Sequence, residues 1–149
     1  MILPGHIARG ILFGVITLIW VIPAAVQDWR TGEVSHGLTY PPIIVNLGIW
    51  LAGWSAASWW LVLLFTGMFL ALWFYDQIGA ADVRGWIAFS LLGTQTLLAA
   101  ALGMLVWYLL VQAKIVKLPR KEIPGYPGYA IGLAVTTAIS LVVGMNVVL

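Results

Sequence analysis

The 149-residue chain has no cysteine, two histidines and very little charge: charged side chains make up 8% of it, where soluble domains carry roughly 25%. Without cysteine there is no disulfide, no thiolate zinc site and no cysteine nucleophile. His6 and His36 are too far apart for an HExxH metalloprotease helix, and no GxSxG elbow occurs. A net charge of +2 is too small to suggest a nucleic-acid partner. The seven Lys and Arg read better as markers of membrane sidedness. What the chain has in abundance is apolar surface: 62% hydrophobic residues and a mean hydropathy of +1.03. So short a chain cannot hide that much in a water-soluble core, so the expected solvent is lipid. The first 27 residues, with a basic residue, an apolar run and small residues, share features with a secretory signal peptide. Further long apolar runs follow, which favours a multi-pass protein.

A membrane-crossing helix needs about 20 apolar residues, fewer inside a bundle or a thinned bilayer. Candidate spans are residues 10–27, 41–54 (opened by the pair Pro41–Pro42, suited to a first helical turn), 58–75 and 128–148. Residues 85–113 are one long helix or two helices broken near "GTQT" at 93–96. Charge decides for the break. With six spans, the loops at 28–40, 76–84 and 114–127 share one side and hold Arg30, Arg84, Lys114, Lys117, Arg120 and Lys121. The positive-inside bias puts that side in the cytoplasm. The expected fold is an all-α, polytopic membrane bundle of about six helices in one domain, 1–149, with both termini outside. Trp50, Trp54, Trp59 and Trp60 would mark the outer interface and Trp29, Trp73 and Trp86 the inner one. Gly10-xxx-Gly14 is a spacing that lets helices approach closely.

This arrangement sets Asp28, ending the first span, and Asp82, beginning the fourth, at the same membrane boundary. Acidic groups there are expensive and need a reason. Asp82 has a structural one, as the N-cap of a helix starting at Val83. Asp28 has another, as an interfacial partner of Arg30. Asp76 and Glu33 read as solvated rim charges, and Glu122 as a loop residue among lysines. The functional reading takes Asp28 and Asp82 together as an aspartic dyad: an ionised carboxylate takes a proton from water while its protonated partner polarises a carbonyl. The flexible "GAA" at Gly79–Ala81 would let a substrate backbone approach.

Three segments, in order, resemble the type IV prepilin peptidase family. In "DWRTGEVSHGLTYPPI", Asp28, Arg30, Thr31, Val34, Leu38, Thr39 and Pro41 fall in register with the family's first motif. "GAADVRGW" resembles its GxGD signature through Gly79, Asp82, Val83 and Arg84, with Arg84 where Lys is usual. "IPGYPGYAIG", 123–132, is similar to the Pro-rich loop entering the last helix. Ala81 replaces the second signature glycine, and Ser35 and His36 replace Pro and Asn; the simple reading of His36 is an exposed loop residue. The cysteine-rich segment associated in larger members with zinc and N-methylation has no counterpart in this sequence, which resembles the peptidase-only form.

The resemblance implies an intramembrane aspartyl endopeptidase. It would have Asp28 and Asp82 catalytic, Gly79, Ala81, Arg84 and Arg30 supporting them, and neither metal nor cofactor. Its substrates would be type IV pilin-like or archaeal flagellin-like precursors, cleaved at the cytoplasmic face of a prokaryotic cell membrane to release a basic leader. The competing expectation is a non-enzymatic membrane component (channel, transporter or assembly subunit) whose aspartates are helix caps or ion ligands. A lipoprotein-type signal peptidase fits the motif order less well.

Overall fold

The computed structural model describes residues 5–55, 57–118 and 123–146, with side chains from 11 to 143 among them. The described residues form six helices: α1 (Gly5–Thr31), α2 (His36–Leu51), α3 (Trp59–Phe74), α4 (Ala80–Leu92), α5 (Thr94–Gln112) and α6 (Tyr126–Asn146). No strand occurs among the described residues. Among the described residues, three helices are long and apolar enough to cross a membrane, over Ile11–Thr31, Thr94–Gln112 and Tyr126–Val143. The side chain of His6, the surroundings of Gly10, and all of Arg120, Lys121 and Glu122 lie outside the described residues.

The break in the 85–113 region falls at Gly93, whose φ of +126° is a conformation L side chains rarely adopt. The glycine ends α4 and begins α5, so the expected split is observed. The second helix differs from expectation. It starts at His36, and Pro41 and Pro42 lie inside it rather than in its first turn. Two missing N–H donors there would be costly in an isolated helix. The link entering the helix is tied down: the Gln27 side-chain carbonyl accepts from Ser35 N–H at 3.0 Å, and Thr31 Oγ1 donates to the Glu33 carbonyl at 2.9 Å. The polar link after α1 is therefore only 32–35, not 28–40, and the link before α4 ends at Gly79.

Helix α6 lies between α1 and α5, and α4 lies between α2 and α3 while also touching α5. The α5–α6 crossing is glycine-lined. A β-carbon at Gly132 would stand 2.9 Å from Gly103 Cα, and one at Gly128 would stand 2.7 Å from Met104 Cα. Without a hydrophobic force between helices in lipid, such close backbone packing is a main source of association. Of the Gly10-xxx-Gly14 pair, Gly14 abuts Thr137 on α6.

An aromatic cluster fills the centre. Trp86 stacks on Phe69 at 5.0 Å and meets the Tyr129 ring edge-on at 5.0 Å, and Trp20 stacks on Phe89 at 5.5 Å. Trp86 is therefore a half-buried packing residue and not part of an interfacial belt. Outward surfaces are apolar instead: α3 buries only Val62 and Phe69 and exposes Leu63, Leu64, Met68 and Leu70. A soluble monomer would not leave so much contiguous apolar surface uncovered.

Candidate active site

Three helix ends meet at one end of the bundle: the C-terminus of α1 and the N-termini of α4 and α6. Asp28, in the last turn of α1, is 7% exposed, and its Oδ2 accepts the Tyr126 backbone N–H at 3.0 Å. That N–H is among the first of α6, which have no acceptor within their own helix. Asp28 therefore caps α6 from another helix.

Asp82 sits in the first turn of α4, but not as its cap. Helix α4 begins at Ala80, Gly79 is the N-cap, and Val83 N–H donates to the Gly79 carbonyl at 3.1 Å. The expected helix start at Val83 is corrected by one turn, so Asp82 is not needed as a cap. Its Oδ1 accepts the Tyr129 hydroxyl at 2.9 Å. Tyr126 adds a second tie, its hydroxyl donating to the Ala81 carbonyl at 2.8 Å. The first turn of α6 thus holds both carboxylates, one through a backbone amide and one through a phenol. Both phenols are buried, Tyr126 at 1% exposure and Tyr129 at 2%. Their edge-to-face contact at 5.3 Å keeps them rigid.

Asp28 and Asp82 line one cavity of about 340 Å³, with Gly32, Glu33, Val34, His36, Gly79, Ala80, Ala81, Arg84 and Tyr126. Asp76, Lys114 and Arg30 are absent from its wall. Asp76 is an exposed turn residue just after α3, with φ of +54°. Arg30 is exposed in the last turn of α1.

Arg84 contacts the start of α2. Its Nε donates to the Ala80 carbonyl at 2.9 Å, Nη1 bonds His36 Nδ1, and the guanidinium lies 5.0 Å from the centre of the Tyr40 ring. His36 is exposed, as expected, but it is engaged by Arg84 and lines the cavity. Ala81 lies within the first turn of a regular helix, where alanine is favoured over glycine by about 1 kcal/mol, so the departure from GxGD carries no backbone penalty. Among the described residues, no group of three or more His, Asp or Glu could hold a metal ion.

Beside the two aspartates, the site includes Tyr126, Tyr129 and Gly125, whose roles are not evident from the sequence. A β-carbon at Gly125 would lie 2.5 Å from Asp82 Oδ1. The signal was the string "PGYPGY" at 124–129, where two tyrosines three apart share a helix face beside glycines that permit close approach. Chemically, the site offers two carboxyls from different helices, one cavity between them and an open, side-chain-poor wall at Gly79–Ala81.

No protein-family model matches the chain, and no curated protein or solved structure is significantly similar to it. What fold and site define is a class: an all-helical protein with long apolar helices and a paired-carboxylate cavity at one end of the bundle.

Proposed function

We infer that the chain is an intramembrane aspartyl endopeptidase of the prepilin-peptidase kind. It removes the basic leader of a type IV pilin-like or flagellin-like precursor at the cytoplasmic face of a prokaryotic cell membrane. The observation that carries this reading is the shared cavity of Asp28 and Asp82, each carboxylate held by the first turn of α6. In the reaction, the ionised carboxylate takes a proton from water as the water oxygen attacks the scissile carbonyl carbon. The protonated partner donates to the carbonyl oxygen. Collapse of the resulting gem-diol, with a proton passing to the departing amine, breaks the C–N bond. Neither metal nor cofactor enters.

In this reading all six helices span the bilayer and both termini lie outside. Helix α4, at 13 residues, is about 20 Å long against roughly 30 Å of hydrocarbon. It fits if its N-terminus opens below the membrane surface, which leaves Asp82 within reach of a precursor's helix. Arg30 and Arg84 belong to the same end as the aspartates, and the positive-inside bias turns that end to the cytoplasm. Glu33, on the cavity wall, offers a carboxylate to a basic leader.

The test is cleavage of a basic-leader precursor by the purified full chain. Asp28→Asn and Asp82→Asn each abolish cleavage while inserting into membranes normally, and Asp76→Asn keeps most of the wild-type rate. Substantial activity in either of the first two variants rejects the pair. An inert wild-type chain, under conditions where an active prepilin peptidase cleaves the precursor, leaves the non-enzymatic membrane component as the better reading.

A further inference from the structure

The opposite end of the bundle holds a second cavity, of about 400 Å³, walled by α1, α5 and α6 and by the turns around Trp54 and Gly93. Gly14 lines it and Asp28 lines the first; fourteen residues of α1 separate them, about 21 Å along the helix.

The two walls differ in kind. The aspartate cavity carries charges of both signs, whereas none of the described residues lining the second is charged. Its polar lining is hydroxyl and amide: Thr94, Gln95 and Thr96 at the start of α5, and Thr136, Thr137 and Ser140 on α6. Two of these are already engaged, Thr136 donating to the Gly132 carbonyl and Ser140 to the Thr136 carbonyl. Thr137 is 7% exposed and makes no hydrogen bond with any described residue. Its hydroxyl fills the space where a Gly14 β-carbon would stand, and both residues face the cavity. Thr94, Gln95 and Thr96 are also without side-chain partners among the described residues, and their backbone N–H groups open the first turn of a 19-residue helix.

These hydroxyl and amide groups open on the cavity without a partner in the described chain, so this wall suits a ligand that supplies hydrogen bonds. A charged ligand would lose its water here and find no counter-charge among the described lining residues. A polyol matches better, since each of its hydroxyls donates and accepts, as do Thr and Gln. Trp54, 60% exposed, presents an amphipathic ring at the rim, and the volume falls within the usual range for ligand pockets, roughly 300–1,000 Å³. The outward faces of α5 and α6 are apolar, with Leu98, Val135 and Ile139 exposed. We propose that this cavity binds an uncharged polyhydroxyl group, the sugar head of a glycosylated lipid or a free saccharide.

The full chain is purified in an amine-oxide detergent, which has no sugar head group of its own. Native mass spectra and thermal midpoints are followed with added glucosyl diacylglycerol, phosphatidylglycerol of the same acyl chains, or free methyl glucoside. The glucosyl lipid gives an adduct and a raised midpoint, and phosphatidylglycerol does not. A response to methyl glucoside as well identifies a soluble sugar as sufficient; a response to the lipid alone identifies a membrane ligand. Thr137→Val, near-isosteric, weakens binding about fivefold to tenfold, and Gln95→Leu at the mouth weakens it independently. Asp82→Asn binds like wild type, so the outcome is separate from that of the peptidase reading. Stabilisation by phosphatidylglycerol equal to that by the glucosyl lipid overturns the proposal. So does silence with both sugar sources, or wild-type affinity in both cavity variants.

Discussion

Two glycines approach Asp82, and they should respond oppositely to the same substitution. At Gly79, the first glycine of the GxGD-like string, a β-carbon would lie 3.5 Å from Asp82 Oδ2, an ordinary contact. Its φ of −71° is open to any residue. Gly79→Ala therefore loses only N-cap preference, about 1 kcal/mol of stability, and precursor cleavage stays within a few-fold of wild type. At Gly125 the new β-carbon would lie 2.5 Å from Asp82 Oδ1, roughly 1 Å inside ordinary contact. Gly125 is not among the positive-φ glycines, so the penalty is steric. The neighbour is the carboxylate oxygen that accepts the Tyr129 hydroxyl at 2.9 Å. To make room Asp82 must turn and give up that bond, worth about 2 kcal/mol for a charged acceptor. If the same geometry is needed in the transition state, kcat falls about 30-fold, at 1.36 kcal/mol per decade. The assay is single-turnover cleavage of a basic-leader precursor in detergent, with thermal midpoints recorded alongside. Near-wild-type kcat in Gly125→Ala would refute the reasoning, as would equal damage from Gly79→Ala.

Tyr129→Phe keeps the ring contacts with Trp86 at 5.0 Å and Phe89 at 5.4 Å while removing the hydroxyl, so kcat drops about tenfold to thirtyfold with KM little changed; a fall confined to KM would show that the phenol acts on substrate binding instead. Gly132→Ala forces a β-carbon against the α5 backbone at Gly103 and costs about 2–3 kcal/mol through a forced separation of α5 from α6, seen as a lower thermal midpoint in detergent. A midpoint unchanged in that variant would mean the crossing is looser than its glycines indicate.

What could be read from the sequence followed from quantities that add along a chain. Apolar content sufficed for an all-helical molecule with long apolar helices, and a glycine among polar residues marked the break that the structure puts at Gly93. Asp28 and Asp82 stood out because so few carboxylates exist to choose from, and both do line one cavity. Misreadings arose where tertiary contacts override local preference. A proline pair normally starts a helix, yet α2 runs back to His36, where Gln27 and Thr31 of the preceding helix tie its entry and Arg84 reaches from α4. Trp86 looked interfacial by position and is packing by contact, because α4 is covered on several sides.

The least legible feature is how the carboxylates are held. Nothing in the spacing of residues 28 and 82 requires a third helix, yet the first turn of α6 contacts both: Tyr126 N–H on Asp28, Tyr126 hydroxyl on the Ala81 carbonyl, Tyr129 hydroxyl on Asp82. One short rigid element therefore sets the relation between two longer ones. A shift of α6 along its glycine-lined contact with α5 would move both hydrogen-bond partners together, changing the cavity without unfolding any helix. Gly132→Ala, far from either carboxylate, should for this reason lower cleavage as well as stability, and in the proportion that Tyr129→Phe and Gly125→Ala report locally. If instead Gly132→Ala lowers the thermal midpoint and leaves kcat intact, the α6 turn is anchored by its aromatic contacts with Trp20, Trp86 and Phe89 alone, and the α5 crossing serves only to hold the bundle together.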